Sequence, residues 1–248
     1  MSRPQTAVNF ALTHPAPGIR ELGDAAPRPV LEGVACERAA ELARLSDRAQ
    51  RVVSSRAKRA VDICLSAGFL LMASPLMLTI AAVIHLGGGG PVLFRQVRGG
   101  LGGRPFEILK FRTMRISPPG EPVRHASRFD GRITPVGGFL RRTSLDELPQ
   151  LINVLRGDMS LVGPRPHAVA HDHFYATQVS DYTIRSMVRP GLTGLAQVSG
   201  LRGEIRSTAD MTERVRLDVE YIKTWSVGID VMLIAKTFVR APVDPGAF

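Results

Sequence analysis

Between Ile63 and Leu86 the chain runs for 24 residues without a formal charge. A bilayer-spanning helix needs about 20 apolar residues, so the run is long enough to enter a membrane. Its middle is Ser74-Pro75. Proline has no amide hydrogen and crowds the preceding turn, so a helix kinks or breaks there. Both flanks are basic, with Arg51, Arg56, Lys58 and Arg59 before the run and Arg95, Arg98 and Arg104 after it. Basic flanks favour the cytoplasmic side, so both ends prefer the same side. The pattern predicts a re-entrant hairpin broken at Ser74-Pro75, each half about 18 Å long at about 1.5 Å per residue. The Ser74 hydroxyl is placed to meet a backbone group freed at the break. A kinked spanning helix and a buried soluble hairpin are the alternatives.

Elsewhere the apolar positions recur in shorter stretches. Leu42, Leu45, Ala49 and Val52 give Val34–Val53 a helical stripe. Val92–Val97 and Phe106–Phe111 read as two strands joined by the turn at 99–105, and residues 116–132 as an exposed loop. Ser144–Leu155 and Thr208 to Trp225 read as helices, and Leu195–Val198 as a strand. Val227–Val239 is apolar but carries Asp230 and Lys236 and follows Tyr221 and Trp225. That mixture suits an interfacial amphipathic helix, with a core helix as the alternative. Residues 1–33, rich in Pro and Gly, read as a tail.

Composition sharpens this picture in two places. With 44% hydrophobic and 22% charged residues in 248, the chain is neither disordered nor polytopic. Its net charge of +10 is unevenly placed, since residues 51–115 alone carry +8, beside the apolar run. Of the cations only four are Lys, and Arg binds phosphate bidentately; biased composition is the competing explanation. Aromatics are only 6%, too sparse for the interleaved basic and aromatic surface of a nucleic-acid module. Cys36 and Cys64 form no disulfide framework, and Cys64 is expected to pack as a small hydrophobe.

The densest chemistry lies in Arg141-Arg142-Thr143-Ser144-Leu145-Asp146-Glu147. Ser144 followed by Glu147 reads as a capping box, which would put both carboxylates in the first turn of a helix. The helix dipole alone could explain acids there; the two preceding arginines suggest a catalytic pair. Lys110 and Arg112, two residues apart, would share one face of a strand, either as phosphate ligands or as a solvated edge. Arg165 lies between Pro164 and Pro166, on a stiff backbone suited to gripping phosphate. His167, His171 and His173 have a spacing that could hold zinc, but no Cys or HExxH context accompanies them.

Five ordered blocks, KRAVDICLSAGFLLMASPLML, FEILKFRTM, GGFLRRTSLDELPQLINVLRGDMSLVGPRP, RPGLTGLAQVSG and RVRLDVEYIKTWS, resemble the bacterial sugar transferase family, the monotopic polyprenyl-phosphate hexose-1-phosphate transferases. GPRPHAVAH and the later RGE resemble the branch that uses UDP-glucose to begin exopolysaccharide synthesis, although Leu195 and Leu201 stand where that branch usually has tryptophan. The resemblance implies an α/β fold of the α+β kind, mostly helical. It would comprise a tail (1–33), an amphipathic helix (34–55), a re-entrant hairpin (56–90), a cytosolic transferase domain with interfacial helices (91–241) and a short tail (242–248). It further implies Asp146 as nucleophile and Glu147 as its assistant. Mg²⁺ would be held by Asp146 and Glu147. Lys110, Arg112, Arg142 and Arg165 would bind substrate phosphates. The expected partners are a UDP-sugar, polyprenyl phosphate and membrane lipid, with room for a homodimer and no nucleic acid. The expected location is the bacterial inner membrane, with the catalytic domain facing the cytoplasm. Galactose-1-phosphate or an N-acetylhexosamine-1-phosphate is the alternative cargo, and a non-catalytic membrane-anchored module the alternative function.

Overall fold

The computed structural model describes residues 28–87, 90–115, 130–203, 205 and 207–240. The tail readings for residues 1–27 and 242–248, and most of the 116–132 loop, lie outside these. The first helix, α1, covers Arg28–Ser54 and so takes in the last residues of the segment read as tail. Pro29 is tolerated there, because first-turn amides have no intrahelical acceptor. Leu45, Ala49 and Val52 form its buried stripe.

Helix α2 covers Arg56–Leu86, and the Ser55 side chain accepts from the Lys58 amide at 3.1 Å to cap it. By length and composition it could cross a membrane. Its burial is inverted. The buried positions are Lys58, Asp62 and Ser66 near one end and Ile80 and Ile84 near the other. Leu71, Met72 and Leu78 between them are more than two-thirds exposed. Cys64 is exposed too, rather than packed as expected, because it points away from the face that docks on the body.

Both ends of α2 meet the same body. Near its start Arg59 donates to the Val154 and Leu155 carbonyls, and Asp62 accepts from Ser160 Oγ at 3.0 Å and the Leu161 amide at 2.9 Å. Near its end Ile80 and Ile84 pack with Phe111 and Leu140. A straight helix of 31 residues would be about 46 Å long.

The body begins with an antiparallel hairpin of β1 (Leu93–Gly99) and β2 (Pro105–Phe111), with Leu93 opposite Phe111 and Gly99 opposite Pro105. Its 3₁₀ turn, Leu101–Gly103, needs positive φ at Gly102 and Gly103, which glycine adopts freely. Helix α3 (Pro135–Thr143) is capped by Thr134, whose hydroxyl accepts from the Gly137 amide. A 3₁₀ turn, Leu145–Glu147, leads to the short α4 (Gln150–Arg156). Strand β3 (Ser160–Val162) pairs in parallel with β4 (Gly191–Thr193), and α5 (Val169–Gln178) and a 3₁₀ segment (Tyr182–Met187) lie between them. The described residues close with α6 (Leu195–Val198), α7 (Thr208–Thr224) and α8 (Val227–Arg240). Small paired strands set among helices make the fold α+β and mostly helical.

Two expectations need correction. Leu195–Val198 is helical, not extended; the strand is Gly191–Thr193, whose partner Gly163 comes so close that a Cβ there would sit 2.4 Å from the Arg189 carbonyl oxygen. Ser144–Leu155 is not one helix either. Pro149 has no amide to donate to the Leu145 carbonyl, so the chain makes a 3₁₀ turn first and begins α4 only at Gln150.

The main core gathers Val154, Met159, Leu161 and Val162 with Met211, Val215, Tyr221 and Ile222 of α7 and Leu233 of α8. A buried polar knot joins it to the start of α2. Lys58 Nζ donates to Asp230 at 2.8 Å, to the Val162 carbonyl at 3.0 Å and to Tyr221 Oη at 3.1 Å, while Trp225 Nε1 also donates to Asp230.

Candidate active site

The two adjacent carboxylates sit on the 3₁₀ turn between α3 and α4. Ser144 enters this turn in the left-handed region, φ 58°, and its side chain caps nothing. The capping box expected from the sequence is therefore absent, and tertiary packing orients the acids instead. The fully buried Asn153 accepts from the Leu109 amide at 3.0 Å and donates to the Glu107 carbonyl at 2.7 Å, which fastens α4 to the edge of β2. That bracket brings Lys110 of β2 beside the turn.

Glu147 is held by three cations. Lys110 Nζ lies 2.9 Å from Oε1; Arg165 donates to Oε1 at 2.6 Å and Oε2 at 3.2 Å; and Arg202 lies 3.6 Å from Oε2. Burial alone would push this carboxyl up, but Arg165 and Lys110 outweigh it and hold Glu147 well below the usual range. Asp146 behaves oppositely. Burial, and then the Glu147 charge, raise it to about 6, with Lys110, Arg165 and Arg141 opposing. Among the described residues nothing hydrogen-bonds or ion-pairs with its carboxylate. Two neighbouring acids are thus pushed apart, one fixed as a tethered anion and the other left free and basic.

The other expected site residues divide. Lys110 and Arg165 meet at Glu147. Arg112 donates to the Ile84 carbonyl at 3.3 Å, at the end of α2, and its second terminal nitrogen is buried without a partner. Arg142 is exposed and pairs with neither acid, whereas Arg141 turns inward, donating from Nε to Thr113 Oγ1 at 2.9 Å and acting on Asp146. Ser74 and Pro75 lie in the exposed middle of α2. Sequence reasoning missed Arg141 and Arg202 as site residues. The helical phase that separates Arg141 from Arg142 was readable only once α3 had bounds, and Arg202, although it opens the RGE block, carried no local sign of its contact with Glu147.

The carboxylates suit a hard cation unequally. No group of three His, Cys, Asp or Glu forms among the described residues. Both Glu147 oxygens are engaged, while Asp146 keeps open lone pairs. One carboxylate completed by substrate phosphates is an ordinary Mg²⁺ arrangement.

A cavity of about 290 Å³ adjoins this turn. Its walls are mostly apolar and include Phe69, Met72 and Ala73 of α2 and Ile234 and Phe238 of α8. Glu147 and Arg202 stand at its polar end. It therefore runs from the exposed middle of α2 to the acidic turn.

Residues 53–242 match the model of the family described as "Bacterial sugar transferase". The chain is 51% identical over 187 residues to the UDP-glucose:undecaprenyl-phosphate glucose-1-phosphate transferase of Caulobacter vibrioides, covering 75% of this chain and 70% of that protein. It is 48% identical over 191 residues to the protein of that name from Escherichia coli, covering 77% of this chain and 41% of that one. It is 43% identical over 190 residues to the exopolysaccharide production protein PSS of Rhizobium leguminosarum, covering 73% of this chain and 93% of that one. The shared region contains α2, the hairpin, the acidic turn and its three cations, and on this ground the chain belongs to the bacterial sugar transferase family.

Proposed function

We propose that this chain transfers a hexose-1-phosphate, glucose-1-phosphate first among the candidates, from a UDP-sugar to undecaprenyl phosphate, and so opens exopolysaccharide or other glycoconjugate synthesis. The observation that carries this reading is the divided acid pair beside an apolar cavity. At neutral pH Asp146 is ionised, yet it is more basic than an ordinary carboxylate and free of partners, which favours attack on phosphorus. Its oxygen attacks the sugar-bearing phosphorus. The bond from that phosphorus to the bridging oxygen breaks, and UMP leaves with the electron pair. The phosphosugar is then an acyl phosphate on Asp146. A phosphate oxygen of undecaprenyl phosphate attacks the same phosphorus. The bond to Asp146 breaks, which restores the carboxylate and yields the lipid diphosphosugar.

Glu147 is too firmly ionised to collect protons. Its part is to hold Lys110, Arg165 and Arg202 in one cluster, where arriving phosphate oxygens can share them. Asp146, whose carboxylate is unpaired among the described residues, would hold Mg²⁺, which when bound would supply charge neutralisation for the leaving UMP, while Glu147 stays engaged with its cations. Lys110 and Arg165 would hold the donor's phosphates, and Arg141 would steady the Asp146 charge.

The location rests on α2. Both of its ends rest on one body while its apolar middle is exposed, which supports a helix that dips into one leaflet and returns. The exposed apolar residues of α8, Val231, Phe238 and Val239, suit the same interface. The body would then face the cytoplasm of the bacterial inner membrane. The undecaprenyl chain would enter from the leaflet past Phe69 and Phe238, whose rings pack together with centroids 5.4 Å apart, with its phosphate toward Arg202.

The direct test is intact mass after incubation with UDP-glucose, UDP-galactose or a UDP-N-acetylhexosamine and no lipid. A phosphohexose adduct on Asp146, with UMP released, is the expected result. An adduct on another residue, or UMP release by Asp146→Asn at the normal rate, would refute the scheme.

A further inference from the structure

Arg165 lies in a stretch that is neither helix nor strand, between two prolines that have no amide hydrogen to donate. Its backbone is tied down through carbonyl oxygens instead. The Pro164 carbonyl accepts from the Gly191 amide at 2.9 Å, and the Arg165 carbonyl accepts from Arg185 Nη2 at 2.8 Å. Arg185 belongs to the 3₁₀ segment Tyr182–Met187 and is only 7% exposed. All three of its guanidinium nitrogens are in use. Nε and Nη2 lie 3.1 Å and 2.9 Å from Oδ2 of Asp218, a buried residue of α7. Nη1 donates to Tyr182 Oη at 3.2 Å and lies 2.5 Å from His167 Nδ1. A guanidinium can only donate, so that ring nitrogen is the acceptor. Burial, and the charges of Arg185, Arg214 and Arg165, keep the His167 ring neutral and able to accept. Arg185 therefore joins the GPRP loop, its own 3₁₀ segment and α7 at one buried point.

We propose that Arg185, itself fixed by Asp218, is a positioning residue of the transfer reaction: it holds the Arg165 backbone where the Arg165 guanidinium meets both oxygens of Glu147. The ion pair with Asp218 uses one edge of the guanidinium, and the donors left over go to the loop that carries Arg165 and to Tyr182. An arginine on a shifted backbone reaches the same carboxylate only through other rotamers, and a misplacement of about 1 Å can cost about a hundredfold in rate. Asp218 supplies the charge that lets a cation sit in this buried place. The inference rests on the transfer reading above and adds what places one of its phosphate-binding cations.

The experiment is single-turnover UMP release from saturating UDP-glucose without lipid, by the full chain in detergent or nanodiscs. Its amplitude counts competent molecules, and its first-order rate constant does not depend on how many there are. A merely structural role would lower the amplitude alone. Arg185→Lys keeps a charge for Asp218 but loses the fork that reaches the Arg165 carbonyl. It should lower the rate constant by about tenfold or more. Placed on an Arg165→Lys background it should add less than about threefold, because both changes act through one side chain. An unchanged rate constant, or losses that multiply in full, would overturn the proposal. If Arg185→Lys gives no folded protein, Arg185→Gln with Asp218→Asn removes both charges together and leaves no buried ion of this pair unmatched. The same loss of rate is expected of it, and an unchanged rate constant overturns the proposal equally. Release by the unmodified chain separates the two levels. Normal release there and in the variants refutes the positioning role alone; no release from any UDP-sugar refutes the reading beneath it.

Discussion

The Ser74 hydroxyl donates at 2.8 Å to the Leu71 carbonyl, the acceptor that Pro75, four residues on, leaves without its amide partner. Thr79 likewise donates to the Pro75 carbonyl at 2.9 Å. In a bilayer an unmet backbone carbonyl is expensive, so the Ser-Pro pair permits a local break in the backbone ladder with its acceptor still satisfied. Pro75→Ala restores the amide and should straighten α2, moving Ile84 away from Phe111. The expected result is loss of transfer activity and a changed labelling pattern for cysteines placed at 56 and 95. In the unmodified chain both should be shielded from outside reagents; labelling of one alone in intact cells would refute the re-entrant reading.

Asp146 and Glu147 should respond oppositely to neutralisation. The native Asp146 value, about 6, exceeds its ordinary 3.8, so the folded state binds that proton more tightly. Stability therefore falls as pH rises from about 4 to 6, and the cost is complete above that. Asp146→Asn should raise stability at pH 7.5 by about 1–3 kcal/mol while abolishing activity. Glu147 is depressed, so its contribution is present above its ordinary 4.5 and is lost as pH falls through the native value. Glu147→Gln strands three cations and should cost near the lower end of about 3–5 kcal/mol, because Lys110 and Arg165 keep about a fifth of their side chains exposed. Thermal unfolding of both variants checks this; equal shifts of the same sign would contradict it.

The same ionisation should shape the rate. Attack needs the Asp146 carboxylate, so UMP release in the absence of lipid should rise about tenfold per pH unit below about 6 and level off above it. A profile flat down to pH 4.5 in a folded enzyme would remove Asp146 as nucleophile.

Arg165→Lys retains the charge but loses the two-pronged grip on Glu147. It should lower kcat/KM for the UDP-sugar by about ten- to a hundredfold, or about 1.4–2.7 kcal/mol. Steady-state kinetics for both substrates would show it, and unchanged constants would take Arg165 out of the site.

Lys58 and Asp230 lock the start of α2 to α8 with almost no solvent access. Lys58→Met leaves Asp230 charged and buried and should destabilise by about 3–5 kcal/mol. Adding Asp230→Leu should recover most of that loss. A double-mutant cycle in detergent measures the recovery, and additive losses would mean that the pair is not coupled.

The sequence by itself determined the long uncharged helix, the β1–β2 hairpin, the bounds of α7 to within a residue and the acidic pair, because each rests on a local property: uncharged length, alternation, helical period, two adjacent residues. The Ser74 hydroxyl was legible for the same reason, since donor and acceptor lie three residues apart. Tertiary structure decided the rest. It replaced the capping box with a left-handed Ser144 and a 3₁₀ turn, since Pro149 forbids a continuous helix and Asn153 fastens α4 to β2. It turned Arg141 inward and Arg142 outward, and placed Arg112 at the end of α2. It also decided which carboxylate stays free. Glu147 meets cations 37, 18 and 55 positions away along the chain, and no local pattern can encode a contact that forms only when β2, the GPRP loop and the segment after α6 are packed together.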